Sequence, residues 1–500
     1  MLITCPTDYV EICALLNNFI KKSNIYEKLL QSRAKIRGVA VGFLALALLT
    51  GCQKGEFETS TGIVSDATTT AIAGANAQNY IVISKTETLP AGFEKQISAY
   101  GEIVSSIPEI GQLVVRPVTA NFEKKVAKLA NVQSVFPDLI MRWIDPVGLT
   151  GQVSSESIGN DESFFSLQWN MFAINAPAAW DAGFTGEGVR VFVLDEGIDA
   201  DNPDLAPNLN TYLSTSFVPG ETYNVSEGSF FNHGTHVAGI IAAADNSWGV
   251  IGVAPYAEIV AVKVLSEYSG SGAFSWINQG IVYAANNGAD VINMSLGGTL
   301  NKNGFYIDDE GIHQRIAPPV VQQAIHAQQR AVNYAWKKGA VIVSSAGNDA
   351  SNFDGDGPVI KLPGGLNNVI TVSATGPDCW VYSTEPNFDL PASYTDYGRS
   401  YIEIAAPGGD FDCDAGYPND MVLSCGAGGP GYPFYFAAGT SMASPHVAGV
   451  AALIIGKNGG QMNPFEVTKK LLNTADKIDG QGISPWYGKG RVNAYRAVTE

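Results

Sequence analysis

The sequence predicts an α/β protein: an open parallel sheet with helices on both faces, preceded by a small α+β unit. Three observations lead there. Over the later part of the 500 residues, short β-branched runs alternate with longer helical stretches, the pattern of parallel strands joined by crossover helices. Two stretches of small and apolar residues, Val237–Ala242 and Val447–Ile454, lack a polar face and read as helices buried all round. Before them, residues 79–136 carry strand and helix signals in the order β-α-β-β-α-β. Hydrophobic residues make up 46%, enough for a sizeable core. The net charge of −18 argues against nucleic acid as a partner and against adhesion to anionic membranes.

From the N-terminus, Arg33, Lys35 and Arg37 precede the apolar run Val39–Leu49, a basic region and short hydrophobic stretch that read as an export signal. The run ends in Leu49-Thr50-Gly51-Cys52, which resembles a bacterial lipobox and implies a lipid on Cys52. Residues 53–78, rich in Ser, Thr, Ala and Gly, read as a flexible tether. Order is expected from Asn79. Tyr80–Ile83, Ile103–Ile107, Gln112–Val118 and Val132–Phe136 are strand-like. Phe93–Ala99 and Asn121–Leu129 have helical spacing, the second through Phe122, Val126 and Leu129. This is the ferredoxin-like order over residues 79–144. Residues 145–163 look like an exposed junction.

Residues 164–500 form the main unit. Strands are expected at Val189–Leu194, Glu258–Val264, Asp290–Met294, Ala340–Ser344 and Val369–Val372, with helices between them such as Ala273–Asn287 and Pro319–Lys337. Three stretches concentrate reactive groups. The first strand ends in Leu194-Asp195-Glu196-Gly197. His233-Gly234-Thr235-His236-Val237-Ala238-Gly239 opens a small-residue helix. Gly439-Thr440-Ser441-Met442-Ala443-Ser444-Pro445 runs into another, with Pro445 suited to its first turn. Taken alone, Ser441 reads first as a plain N-cap. A serine at a helix start also has unpaired N–H groups and the positive end of the dipole beside it, a good setting for an oxyanion.

Taken together, these stretches resemble the three signatures of the subtilisin-like serine proteases, the subtilase family, in the order Asp, His, Ser. The resemblance covers roughly residues 164–498. It implies that Ser441 attacks the peptide carbonyl, His233 acts as base and then acid, and Asp195 orients the imidazole. Ser345-Ala346-Gly347-Asn348 resembles the segment carrying the oxyanion asparagine, so Asn348 and the Ser441 N–H are the expected donors. Substrate is expected to add as a β-strand between Gly270-Ser271-Gly272 and Ser295-Leu296-Gly297. His236, His313, His326 and His446 are expected to be structural. His233-Gly234-Thr235-His236 lacks the glutamate and spacing of a zinc-protease motif, so no catalytic metal is expected.

The same resemblance implies structural calcium, with Asp204 and Asn246 supplying side-chain oxygens and Ala244, Trp248 and Val250 carbonyls. Asp354-Gly355-Asp356 and Asp410-Phe411-Asp412-Cys413-Asp414 are either further calcium loops or solvated turns. Residues 79–144 imply an inhibitory propeptide, and the whole a monomeric, self-processing precursor that acts on proteins or peptides. It would be lipid-anchored at a bacterial membrane until processing releases it. A catalytically inactive binding protein of the same fold and an esterase are the alternatives.

Three departures stand out. Glu196 follows the aspartate where the family usually has a small hydroxyl residue; it either raises the neighbouring pKa values or points to the other face of the strand. Lys361, aligned through Leu362-Pro363-Gly364, lies at the floor of the primary pocket with Asp349 at its rim and favours acidic side chains, or else points to water. Of the six cysteines, Cys413 and Cys425 are the expected pair, leaving Cys379 free, although sequence alone does not fix the connectivity.

Overall fold

The computed structural model describes residues 78–144, 149–150, 162–225, 231–355, 357–411, 418–428, 434–480 and 482–500. The export signal, Cys52, the tether, Cys413 and most of the junction lie outside the described residues. Among those described, no helix is long and apolar enough to cross a membrane.

The main sheet is built on Arg190–Asp195. Glu258–Lys263 and then Thr215–Ser216 lie to one side of it. Val291–Met294, Val341–Ser345 and Ile370–Gly376 lie to the other. All of these pairings are parallel, as is that of Ile404–Pro407 with Ile370–Gly376; only Leu390–Pro391 runs antiparallel, at the edge. Parallel strands must be covered on both faces. Helices His233–Ala242 and Thr440–Lys457 share one apolar core with the inward residues Val191, Val193, Val343 and Val372. Helices Phe274–Asn286 and Pro318–Lys338 share a second with Phe192, Leu194, Ile292 and Ile342. The chain leaves Arg190–Asp195 for a neighbour on one side and later returns to the other side. The C-terminal end of this strand, where Asp195 stands, is therefore the switch point where α/β sheets gather their ligands.

The N-terminal unit has strands Tyr80–Ser84, Gly101–Ile107, Gln112–Pro117 and Val132–Pro137, with helices Phe93–Ile97 and Phe122–Val126. Its strands lie in the order second, third, first, fourth, every neighbour antiparallel. One face packs on its own helices. The other, through Ile81, Ile83, Ile107 and Phe136, joins the core beneath helices Phe274–Asn286 and Pro318–Lys338. Asp138 caps the first of those helices, accepting from Ser275 N at 3.1 Å and Ser275 Oγ at 2.6 Å. Arg330 donates to the carbonyls of Ser84, Thr86 and Ile110.

Two features were not expected from the sequence. The segment 298–362 contributes a separate antiparallel sheet of Gly298–Asn301, Phe305–Ile307, His313–Arg315 and Val359–Leu362. Pro445 is not in the first turn but inside the helix, which begins at Thr440. The proline has no N–H to give the Ser441 carbonyl four residues back, and Ser295 Oγ donates to that carbonyl instead, at 2.8 Å.

Candidate active site

Asp195 closes the central strand and is almost fully buried. Its carboxylate takes the Glu196 N–H at 2.8 Å and faces His233 Nδ1 at 2.9 and 3.0 Å. His233 is the first residue of its helix, whose N-cap Asn232 accepts from Thr235 N at 2.8 Å. The helix comes this close because residue 234 is glycine: a Cβ there would lie 2.1 Å from the Gly197 carbonyl oxygen. Burial disfavours a charged imidazole, but the Asp195 carboxylate, by charge and hydrogen bond, and Glu196 outweigh it, so the His233 pKa is raised. Its other nitrogen, Nε2, is buried and without a hydrogen-bond partner among the described residues.

Ser441 sits in the first turn of Thr440–Lys457, where main-chain N–H groups have no partner within the helix. Its hydroxyl donates to the Ser295 carbonyl at 3.2 Å. Asn348 follows the strand Val341–Ser345; its Oδ1 accepts from Thr440 N at 3.0 Å and Thr440 Oγ1 at 2.9 Å. With the oxygen occupied, the amide NH₂ is left for the cleft. Asn348, His233, Ser441 and Glu196 line one cavity of about 280 Å³ together with Gly270 and Ile144.

That cavity is approached by a strand of the same chain. Ile140–Arg142 pairs antiparallel with Ser271–Ala273. Trp143 then donates its N–H to the Gly270 carbonyl at 3.3 Å and accepts from Gly297 N at 2.7 Å. Beyond the cavity, Leu149–Thr150 pairs antiparallel with Phe436–Ala437. Gly270, Ser271, Gly272 and Gly297 thus flank an extended segment, and Ser295 and Leu296 continue the second edge. The Trp143 indole lies in a slot that a Cβ on Gly298 would enter at 2.7 Å, and donates to the Gly272 carbonyl at 2.9 Å.

Glu196 does not point away. Its Oε1 accepts from His233 N at 2.6 Å and Asn232 Nδ2 at 3.1 Å. Burial pushes its pKa up to about 7, against the charges of His233 and Lys263. Lys361 does not point to water either. It is 2% exposed, with Nζ 2.8 Å from Asp349 Oδ2 and 3.2 Å from the buried Asp396. Two carboxylates to one ammonium leave no surplus positive charge, so the expected acidic preference loses its basis. His236 and His446 are buried, with pKa values lowered to about 3 and about 4 by burial, and hydrogen-bond to the Tyr435 carbonyl and to Asn170 and Met442. His313 and His326 are exposed. The expected disulfide is wrong in one half: Cys425 is a free, buried thiol, and Cys379 is the disulfide-bonded residue.

Asp204 and the loop 244–250 do come together. Asp204 accepts from Val250 N at 2.9 Å and Asn246 Nδ2 at 3.2 Å, and its carbonyl accepts from Ala244 N. Trp248 N donates to the Asn246 side-chain oxygen at 3.0 Å. Sequence reasoning missed Glu162, whose Oε1 takes the N–H groups of Asn246 and Ser247 while its buried Oε2 has no hydrogen-bond partner among the described residues. Burial first, then the charge of Glu162, raises Asp204 to about 7; burial raises Glu162 to about 7, with Asp245 adding. An orphaned carboxylate oxygen beside a second buried carboxylate suits a hard cation, although no group of three or more His, Cys, Asp or Glu side chains is placed to hold a metal among the described residues.

A strand-borne aspartate, a helix-borne histidine and a serine at a helix start, with an asparagine donor, define a serine hydrolase of the α/β class. Residues 186–490 match the pattern of the subtilase family (peptidase S8), and the chain belongs to that family. It is 37% identical over 340 residues to thermitase of Thermoactinomyces vulgaris, spanning 68% of this chain and 98% of that protein. To subtilisin E of Bacillus subtilis (strain 168) it is 37% identical over 333 residues, 67% and 71% of the two chains. The crystal structure of the epidermin leader peptide processing serine protease from Staphylococcus aureus superposes with a TM-score of 0.65 at 27% identity, over 84% of this chain and 97% of that one. The protein is a serine-type endopeptidase. The arrangement can supply a nucleophile in the Ser441 hydroxyl, a proton acceptor in the bare His233 Nε2 and, in Asp195, a carboxylate that holds the imidazole by Nδ1. The Asn348 amide, whose oxygen is held by Thr440, and the Ser441 N–H are the donors such a cleft can offer to an oxyanion.

Proposed function

We propose that this endopeptidase is made as an exported precursor that cuts its own chain between Ile144 and Leu149 and is then held inactive by residues 79–144 until they are degraded. One observation carries the reading: the chain is strand-paired on both sides of Ser441, at Ile140–Arg142 before it and at Leu149–Thr150 after it. A backbone held in that way presents the intervening bonds to the nucleophile at very high effective concentration. After the cut, the strand would stay in the cleft as a product, supported by the docked N-terminal unit. The lipid on Cys52 would remain with that unit, so processing would separate the protease from its anchor. A lipid pair holds firmly, whereas a docked unit holds only by its interface. Calcium at Glu162, Asp204 and Asn246 would neutralise the two raised carboxylates and tie the start of the protease unit to the loop 244–250.

The test is to express the chain with a labelled lipid and compare it with Ser441→Ala. The unsubstituted chain should yield a label-free soluble protease that hydrolyses casein. The variant should remain one long, labelled, membrane-bound species. Full processing of purified Ser441→Ala without a helper protease, or lipid on the mature enzyme, would overturn self-cleavage and release respectively.

A further inference from the structure

We propose that the turn Asp308–Gly311 is a specificity subsite that receives a basic side chain of the substrate, two residues before the one at the Ile144 position; this rests on the endopeptidase reading of the cleft. The turn joins Phe305–Ile307 to His313–Arg315, the hairpin that grows out of the substrate edge Ser295–Gly298. It carries three carboxylates in succession, Asp308, Asp309 and Glu310. The strand now in the cleft meets it directly. Met141 forms an antiparallel bridge with Asp308, and Arg142 Nη2 donates to the Asp309 carbonyl at 3.3 Å. The guanidinium lies over Gly311, where a Cβ would come within 3.1 Å of Nη1. Asp308 shapes the turn: its Oδ1 accepts from Ile312 N at 2.7 Å and Glu310 N at 3.1 Å, and its Oδ2 from Gln314 at 2.7 Å. Those bonds hold its carboxyl below the usual range, with the Arg142 charge adding to them.

The turn belongs to the protease unit and the strand does not. When residues 79–144 leave, the turn, its carbonyl and its carboxylates remain, facing the place of Arg142. An incoming strand in the same register brings its own side chain there. A cation gains the carbonyl and three negative charges, an apolar residue gains neither, and a carboxylate is repelled. Because the turn is solvent-facing, the preference should be moderate and salt-sensitive.

The experiment uses the processed enzyme, after residues 79–144 have been degraded, and quenched peptides with the sequence of residues 138–150, carrying Arg, Ala or Glu at the Arg142 position. The expected order of kcat/KM is Arg above Ala above Glu, roughly threefold to tenfold per step, carried by KM. In the variant Asp309→Asn with Glu310→Gln the Arg and Glu peptides should converge while the Ala peptide is cut as before. Raising the salt concentration is the second measurement, and in the unsubstituted enzyme it should narrow the same spread between the Arg and Glu peptides. Cleavage of all three peptides at equal rates by the unsubstituted chain would overturn the subsite and leave the endopeptidase reading standing. No cleavage of any peptide, with Ser441→Ala indistinguishable, would overturn both.

Discussion

The carboxylate of Glu196 accepts the main-chain N–H of His233 at 2.6 Å. His233 therefore begins its helix on a cap supplied by the residue next to the aspartate it pairs with. An acid at a helix N-terminus is favourable, and here its charge also acts on the imidazole.

Glu196→Gln should keep the cap, since an amide oxygen still accepts the N–H, but remove the charge. Glu196 is one of the groups raising the His233 pKa, so that pKa should fall and the acid limb of kcat/KM should move to lower pH. The unsubstituted enzyme should lose activity less steeply than a one-proton titration on acidification, because Glu196, raised to about 7, takes up a proton over the same range and so weakens its own pull on the His233 proton. Rate profiles between about pH 5 and 9 measure both; a limb displaced to higher pH in the variant contradicts this arrangement.

Stability should depend on calcium more at alkaline than at acid pH. Burial raises Asp204 and Glu162 to about 7. A raised carboxyl contributes stability that is present below its unfolded pKa and lost as pH rises through the folded one. With chelator, the melting temperature of the Ser441→Ala protein should fall between about pH 4 and 7, and calcium should restore it. At calcium about a hundredfold above its dissociation constant the gain is about 2.7 kcal/mol. Glu162→Gln with Asp204→Asn should abolish the calcium response; an equal calcium shift at pH 5 and pH 8 would contradict the assignment.

Asn348→Ala should lower kcat about 10²–10³-fold with little change in KM. Thr440→Val should act the same way but less, roughly tenfold, since it removes one of the two donors that hold the Asn348 oxygen. A Thr440→Val effect confined to KM would place Thr440 in binding instead.

Lys361→Met should leave Asp396, fully buried, without its ion-pair partner, at a cost of about 3–5 kcal/mol. Adding Asp396→Asn should recover part of it. Urea unfolding in the Ser441→Ala background reads this without self-digestion.

The sheet was legible because parallel strands buried on both faces read as apolar runs, as in Val191–Leu194 and Ile259–Val262. The reactive residues were legible because each stands beside small residues that let elements approach, as Gly234 does. Contacts made by side chains distant in sequence were not. Glu196 was ambiguous because strand alternation ends where the strand ends, and its direction is set by the Asn232 and His233 donors. Lys361 could be read as solvated because its partner Asp396 comes from another loop. The hairpin around Asp308 was hidden because Phe305–Ile307 and His313–Arg315 are three residues each, too short for a period of two to declare itself.

The Ser441 hydroxyl, resting on the Ser295 carbonyl and not on His233 Nε2, makes readiness conditional. The Ser295 carbonyl stands on the edge where an arriving polypeptide would lay its own N–H groups. A backbone that claims this acceptor sets the hydroxyl loose beside the waiting imidazole. A peptide N–H placed on the Ser295 carbonyl would compete with the hydroxyl for that acceptor, so an electrophile that carries no peptide N–H should acylate Ser441 more slowly than a peptidyl one of equal reactivity.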